Sequence, residues 1–473
     1  MKKTALRQLS LAISVAAGTL AAATAQAGGF AFVTNGENDG HGSLRHALEV
    51  QQANYVIVAP YVSAIAVDGT LEYSSESPLT LIGTGQTISL PDNQTILAIT
   101  QGANLRVSNL AFEGLKDFYS ITNRGDLDGP AGKGIFVDVR DDQTGTVYVI
   151  LNNVRVAGVA NHGIHVSDCS LADDCGGGSG GAGDGSPASI YLAANNVTVT
   201  DAGNGKFDAD GIRVDDRGAG SIYFTAFNST FSNVGADGVE LDEGDAGDVV
   251  VQTIATRFID NGGYCDPILM ASFIPSPDEA EFDESEQVAV SDIPGPVTGS
   301  PDDSCIEREV DLYDSGFVEA YEFGLDLDDG IDLDEAGEGG LYATMRSSLI
   351  VGNLDEGVDF DEEGDGNVQV AFLNTEASDN TDDGFKVSEE DGGGVEAYIR
   401  GSAAKNNGGK GIVLEEADAG NLEALVLKTT TYNNDDSDNT GIEAVQEDEG
   451  TGTLRVRRSS IADGIDTDGV EEI

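Results

Sequence analysis

Two pairs of aspartates stand in the same short pattern, 27 residues apart. The segment "DGIDLDE" carries Asp332 and Asp334, and "EGVDFDE" carries Asp359 and Asp361. If each segment is a strand, its apolar residues point inward and its aspartates outward, and the four carboxylates lie about 5 to 7 Å apart on neighbouring strands. Because ionised carboxylates at that separation repel, the pattern predicts that a cation binds there.

Calcium is the cation that fits this pattern best. It prefers about six to eight hard oxygen ligands in a tolerant geometry, and Asp329 and Glu356, just before the two strands, could add to the four aspartates. The alternative is a solvated acidic surface with diffuse counterions, since the 473 residues include 84 acids and 24 bases, a net charge of -60. A charge of this sign argues against nucleic acid as a partner.

The 27-residue interval belongs to a longer repeat. A glycine followed by alternating apolar residues recurs at Gly211, Gly238, Gly330, Gly357, Gly384, Gly411 and Gly441. A period between about 20 and 50 residues is typical of stacked supersecondary units. Since each unit holds short alternating strands between Gly, Asp and Asn turns, the repeat predicts an all-β solenoid, a parallel β-helix in which each repeat is one coil.

Asparagines recur at a fixed place in these coils. Asn153, Asn228 and Asn374 each lie ten residues before a repeat glycine. This spacing predicts a buried turn at which side-chain amides satisfy the backbone of neighbouring coils.

Two breaks in the period predict loop insertions, at 169–188 and at 266–304. Two pairs of cysteines accompany them: Cys169 with Cys175, and Cys265 with Cys305. An oxidising compartment favours a disulfide within each pair. The second bridge would then close the base of its loop.

Residues 1–27 have the pattern of a secretory signal peptide. Basic residues precede an apolar run that ends at the small-residue motif "AQA". We therefore expect export to a periplasm or the extracellular space, and no later apolar stretch predicts a transmembrane segment. Residues 28–133 are predicted to form the N-terminal cap and first coils, and 134–473 the regular coils.

Three N-terminal segments carry a resemblance to a known family. "HGSLRHALEV" at 41–50 predicts a short amphipathic capping helix with Ser43 as its N-cap, and "SPLTLIGTGQTISL" at 77–90 and "ANLRVSNLAFEG" at 103–114 follow it. Together they resemble the opening coils of the pectate-lyase-like right-handed parallel β-helix superfamily. The resemblance implies a right-handed solenoid, a carbohydrate ligand, often a polyuronate, and calcium as a common cofactor.

Lys386 is the first catalytic candidate. It occupies the outward second position of its strand, one coil from Asp359 and Asp361. The resemblance to lyases of this fold implies that a Lys or Arg beside calcium removes the C5 proton of a uronate. The structural alternative is an ion pair between Lys386 and Asp359.

A second candidate cluster comprises His165, Arg213 and Glu240. These residues occupy the same outward position on three successive coils, close to both insertions. Loops there could form the walls of a groove. The structural alternative is that Arg213 pairs with Glu240 or Asp242 across strands.

Three functions follow from these patterns. The first is an exported calcium-binding β-helix that binds or organises extracellular or cell-surface polysaccharide, which the absence of complete lyase or polygalacturonase motifs and of any Trp favours. The second is a calcium-dependent lyase or epimerase acting on an acidic polysaccharide. The third is a structural or adhesive surface solenoid.

Overall fold

Short apolar-alternating runs, separated by Gly, Asp and Asn turns, fold into the coils of a parallel β-helix, as predicted. The computed structural model describes residues 29–115, 132–168, 185–297, 303–313, 315–434, 439–447 and 449–473. The predicted signal peptide and the predicted Cys169–Cys175 bridge lie outside these residues, as does most of the loop predicted at 169–188.

Each coil contributes strands to three parallel sheets. The first sheet consists of Phe30–Val33, Tyr55–Val58, Leu79–Ser89, Leu105–Glu113, Gly145–Val159, Ala188–Asn195, Ile222–Phe227, Asp248–Ile254, Gly340–Arg346, Val368–Leu373, Val395–Arg400, Glu423–Leu427, Gly452–Arg457 and Val470–Glu472. The second consists of Ala64–Ala66, Thr198–Ala202, Thr230–Ser232, Arg257–Ile259, Leu349–Val351, Glu376–Ser378, Ala403–Lys405, Thr430–Tyr432 and Ser460–Ile461, joined by the far ends of three long strands of the first sheet.

The third sheet positions the predicted site. Its strands are Leu71–Tyr73, Leu97–Ile99, Ile135–Asp138, Ile164–Ser167, Ile212–Asp216, Val239–Glu243, Ile331–Glu335, Val358–Gly364 and Ser388–Asp391. A bridge between Phe385 and Ile412 connects this column to Val413–Glu416, Ile442–Gln446 and Ile465–Asp468. Crossovers between parallel strands are right-handed in nearly all proteins, in accord with the expected right-handed solenoid.

The apolar positions of each strand form one continuous core inside the coils. In the third sheet Ile331 pairs with Val358 and Leu333 with Phe360, and all four side chains are fully buried. Stacking therefore places like residues of successive coils on top of one another. Among the described residues, no helix is both long and apolar enough to cross a bilayer.

A helical turn closes the N-terminal end of the core. Ser43 Oγ accepts a hydrogen bond from the His46 amide at 3.1 Å, which confirms Ser43 as the cap, and a π-helical turn follows at His46–Val50. Leu44 and Leu48 are fully buried against the first coils. The amphipathic face predicted from the sequence therefore covers the end of the solenoid.

The second insertion is longer than predicted. Strand Val239–Glu243 pairs directly with Ile331–Glu335, so a single coil step separates Gly238 from Gly330. The excursion therefore extends well beyond 304, because Ile306–Leu312 and Val318–Leu325 pair antiparallel with each other, outside the solenoid. The 92 residues between Gly238 and Gly330 would accommodate two 27-residue repeats and a loop of 38, but the second repeat does not form.

The insertion has a small core of its own. Cys265 and Cys305 form the predicted disulfide, with their Cα atoms 5.4 Å apart. The remaining elements of the insertion are Gly263–Cys265, Pro267–Met270, Glu279–Glu281, Glu284–Glu286, Val290–Asp292 and Asp303–Cys305. Phe207, in the turn before strand Ile212–Asp216, packs against this core, so the insertion lies beside the third sheet.

The asparagine prediction was wrong about burial. Asn153, Asn228 and Asn374 are exposed and have φ near +50°, a left-handed conformation that Asn tolerates. The buried asparagine ladder lies elsewhere in the coil, at Asn261, Asn353, Asn380, Asn407 and Asn434. In the first four of these the amide nitrogen donates to the amide oxygen of the next coil, as from Asn380 to Asn407 at 3.0 Å, and Asn434 donates to the Asp463 carboxylate.

Replacing Asn380 with Ala is expected to lower the free energy of unfolding by about 1 to 3 kcal/mol, because buried polar groups of Asn353 and Asn407 lose their partner. The measurement is urea unfolding followed by circular dichroism. Asn374→Gly, at the exposed turn, is the control and should cost much less. Equal losses for the two variants would contradict a specific role for the buried ladder.

Candidate cation site on the third sheet

The outer surface of the third sheet carries the predicted aspartates in the predicted register. Asp332 lies opposite Asp359 and Asp334 opposite Asp361, and we call these four residues the acidic face. The strand pattern predicted that they face solvent, but all four side chains are partly buried. Their carboxylates are therefore partly deprived of the water that would screen their repulsion.

Three oxygens of the predicted ligand set converge on one point. Carboxylate oxygens of Asp329, Glu356 and Asp359 all lie within 4.8 Å of one another. Asp329 Oδ1 and Asp359 Oδ1 are buried and accept no hydrogen bond from the described residues. Unpaired buried oxygens of this kind fit a hard cation such as calcium, which would satisfy them directly.

A second group lies on the neighbouring coils. Oxygens of Glu240, Asp332 and Asp334 also lie within 4.8 Å of one another, so Glu240, expected only in the catalytic cluster, is a further possible ligand. Asp361 belongs to neither group, and Ser388 Oγ donates a hydrogen bond to it. The acidic face thus contains two candidate cation positions.

Burial and mutual repulsion change the acidity of these groups. Burial, followed by the charges of neighbouring carboxylates, raises the pKa of Asp332, Asp334 and Asp359 well above the usual range. Burial and Asp355 raise the pKa of Glu356 to about 8, although Lys386 opposes the shift. The acidic face therefore requires protons or cations near neutral pH.

Lys386 supplies part of the positive charge. Its Nζ lies 2.8 Å from Asp359 Oδ2 and 3.7 Å from Glu356 Oε1. Burial lowers the pKa of Lys386, but the charges of Asp359, Asp361 and Glu356 outweigh burial and raise it well above its usual value. Lys386 is therefore an ammonium group at neutral pH, as in the ion-pair alternative.

His165 is held between opposite charges. Its Nε2 lies 2.5 Å from Asp215 Oδ2, and Lys133 Nζ contacts its Nδ1. Burial, with the nearby Lys133 charge, lowers the pKa of His165 to about 4 despite the opposing effect of Asp215. The imidazole is thus neutral at physiological pH. Lys133 was not identified from the sequence, although it directly precedes Gly134, the repeat glycine of its coil.

Arg213 is surrounded by carboxylates. It lies opposite His165 on one side and Glu240 on the other, so the predicted cluster does assemble. Its guanidinium contacts Asp215 at 2.7 Å, Glu240 at 2.5 Å and Asp242 at 3.3 Å, and it is almost fully buried. Because its N–H groups contact these carboxylates, Arg213 holds the residues of the cluster together.

A second column of acids was missed in the sequence. Five glutamates, each five residues after a repeat glycine and here called the inner glutamate row, are fully buried: Glu243, Glu335, Glu362, Glu389 and Glu416. Burial and neighbouring carboxyls raise the pKa of Glu335 to about 10 and that of Glu389 to about 9. The available signal was a glycine four residues after each glutamate, as in Glu335 and Gly339.

Comparisons with known proteins give distant structural similarity only. No family model and no curated protein sequence matches the chain. The enzymatically active domain of bacteriophage CBA120 tailspike protein 2 is 11% identical with a TM-score of 0.39, over 84% of this chain and 43% of that one. Pectate lyase Pel9A is 11% identical with a TM-score of 0.37, over 94% and 79% of the two chains.

A third structure is the A-module of the Azotobacter vinelandii mannuronan C-5 epimerase AlgE6, 12% identical with a TM-score of 0.32, over 93% of this chain and 97% of that one. The chain spans less than half of the tailspike domain and 62% of the Geobacillus virus E2 ORF18 chain. Similarity this low carries no argument about activity. The fold follows from the strand register itself, which makes the chain a parallel β-helix, consistent with the pectate-lyase-like resemblance of its N-terminal segments.

Proposed function

We propose that this protein is an exported calcium-binding β-helix that binds acidic polysaccharide on its acidic face. The observation that supports the proposal most strongly is the convergence of Asp329, Glu356 and Asp359, with two buried oxygens left without a donor. These three residues would hold the calcium. When bound, it would supply a positive centre with coordination positions open to a ligand carboxylate.

Charge sets a clear requirement for such binding. A polyuronate is a polyanion, and the chain carries a net charge of -60, so direct association is electrostatically unfavourable. A divalent cation shared by protein and polymer removes that obstacle locally. Binding to the polymer should therefore depend strictly on calcium.

The test is retention of the protein on immobilised alginate or pectate at a range of free calcium concentrations. We expect retention with calcium and release by EDTA, and much weaker retention for Asp329→Asn/Asp359→Asn. Polymer binding that ignores both EDTA and the double substitution would contradict the proposal. Capture of a cell-envelope protein without any polymer binding would instead favour the adhesive solenoid.

A lyase or epimerase is the second candidate, favoured by the neutral His165 beside Asp215 and by Lys386 next to the cation position. In a lyase, a base would remove the C5 proton while the C4–O bond breaks, leaving a C4=C5 double bond. The ammonium state of Lys386 favours binding over proton abstraction and places this candidate second.

A lyase is expected to produce new ultraviolet absorbance when the protein acts on alginate or pectate with calcium present. His165→Ala and Lys386→Ala separate the two candidate bases, because only loss of the true base abolishes turnover while polymer retention persists. An epimerase would change the uronate composition seen by NMR without the absorbance. If neither signal develops across a panel of acidic polymers, the catalytic alternative is wrong.

A further inference from the structure

The inner glutamate row is separate from the acidic face. Its members lie five residues after the repeat glycines, a position that points away from the acidic face because alternate residues point to opposite sides. Glu243 pairs in register with Glu335, Glu335 with Glu362, and Glu362 with Glu389. These four carboxyls are thus stacked at the spacing of adjacent strands, about 4.8 Å, and the carboxyl of Glu416 lies within hydrogen-bonding reach of Glu389.

Neighbouring carboxyls in the row contact one another. The carboxyl of Glu335 lies within hydrogen-bonding reach of Glu243 and of Glu362, and the carboxyl of Glu389 lies within reach of Glu362. Neither oxygen of Glu335 or Glu389 accepts a hydrogen bond from a described residue. Two ionised carboxylates in contact and out of water are unstable unless a positive species lies between them.

Glycines complete an environment made of oxygen atoms. A Cβ built on Gly366 would lie 2.2 Å from Glu362 Oε1 and 2.1 Å from the carbonyl oxygen of Gly339. At Gly393 the nearest atoms are again the Gly366 carbonyl oxygen and Glu389 Oε1, at 1.5 and 2.3 Å. Each step of the row therefore offers a carboxylate oxygen and a carbonyl oxygen, the hard donors that calcium prefers.

The ends of the row behave differently from its interior. Gln446 replaces the glutamate in the next coil, where its Oε1 accepts from the Leu422 amide at 3.0 Å and its Nε2 donates to the Glu447 carbonyl at 3.0 Å. At the other end Asp216 pairs in register with Glu243, and its Oδ2 is also buried without a hydrogen-bond partner among the described residues. Asp168, one coil further, accepts backbone hydrogen bonds from Ser186 and Arg217. Protein partners are thus present at Gln446 and at Asp168, beyond the unpartnered carboxyls.

We propose that the inner glutamate row binds divalent cations of the calcium type between successive coils, as structural sites distinct from the acidic face. Because two carboxylates neutralise one such cation, the row would hold about two to three cations. These cations would join coils that otherwise repel. The inference does not depend on polysaccharide binding.

The test is titration of the EDTA-treated full chain with CaCl₂ by calorimetry in about 1 M NaCl, where diffuse attraction is screened, together with thermal melts. For the native protein we expect saturable binding and a Tm that falls by at least about 5 °C on chelation. Glu335→Gln/Glu362→Gln/Glu389→Gln should bind at least one calcium fewer, and its Tm should no longer respond to EDTA.

Two comparisons isolate the row. Glu363→Gln/Glu390→Gln removes the same kind of charge from exposed neighbours on the same strands and should leave stoichiometry and Tm response unchanged. Asp329→Asn/Asp359→Asn should lose polymer retention while keeping the EDTA-sensitive Tm. Failure of polymer binding and failure of the row are therefore distinguishable.

A milder variant covers the case in which the triple substitution does not fold. Glu416→Gln extends by one coil the amide already present at Gln446, so it should fold and bind less calcium than the native protein. If either folded variant binds as much calcium as the native protein and loses as much Tm on chelation, the proposal is overturned. The row would then hold shared protons.

Discussion

Replacing Arg213 with Met is expected to lower the free energy of unfolding by about 3 to 5 kcal/mol, because it leaves several buried carboxylates without their counter-charge. The guanidinium contacts Asp215, Glu240 and Asp242 within 3.3 Å. Methionine keeps much of the volume, so the loss reports charge and not a cavity. Urea unfolding followed by circular dichroism measures it.

The loss should depend on pH in a defined direction. Without Arg213, the pKa of Glu240, already raised by burial, would rise further above its unfolded value. A group with a raised folded pKa contributes stability that is present at low pH and lost as pH rises, so the Arg213→Met protein should lose more at pH 8 than at pH 5. Arg155→Met, which breaks a partly exposed pair with Glu113, should cost no more than about 1 kcal/mol. A pH-independent loss would contradict the buried-charge account of Arg213.

Asp329→Asn/Asp359→Asn is expected to weaken calcium binding at the acidic face by at least about 100-fold, because it changes two ligands directly, and loss of a residue that only orients a ligand already costs about 10- to 100-fold. Both residues contribute to the group of converging oxygens, and each has a buried oxygen without a donor. Calorimetric titration in high salt, with the inner glutamate row intact, measures the loss of the acidic-face sites.

Asp361→Asn provides the internal comparison. Asp361 belongs to the same predicted quartet, but Ser388 already donates to it and it lies outside both oxygen groups. Its substitution should therefore weaken binding much less than that of Asp359. Equal effects at the two positions would indicate diffuse attraction by the whole acidic surface and not a defined site.

The register of the third sheet could be predicted because it follows directly from the 27-residue period. His165, Arg213 and Glu240 are paired in the predicted order, and so are Asp332 and Asp359, whereas the direct pairing of Glu240 with Asp332 was not expected. The alternation of residues along a strand also predicted that Leu333 is buried while its acidic neighbours point to the other side. Regular spacing in a solenoid thus defines neighbours even for residues far apart in sequence.

Other features could not be obtained from the period. The period predicted one coil too many between Gly238 and Gly330. The antiparallel strands of the insertion are similar in length to the strands of a coil, so the sequence does not distinguish them. The inner glutamate row was overlooked because, in the sequence, a glutamate five residues after the repeat glycine looks like any other solvated acid. Only the structure shows that these side chains are buried. Likewise, the split of the quartet into two oxygen groups depends on side-chain rotamers.

The most direct test of the central claim is a crystal structure of the protein grown with CaCl₂, with anomalous differences measured to locate calcium. The account predicts a peak about 2.3 to 2.6 Å from oxygens of Asp329, Glu356 and Asp359, with the Lys386 ammonium displaced from Asp359. An acidic face without such a peak, in which Lys386 still bonds Asp359, would contradict calcium-mediated binding at this site.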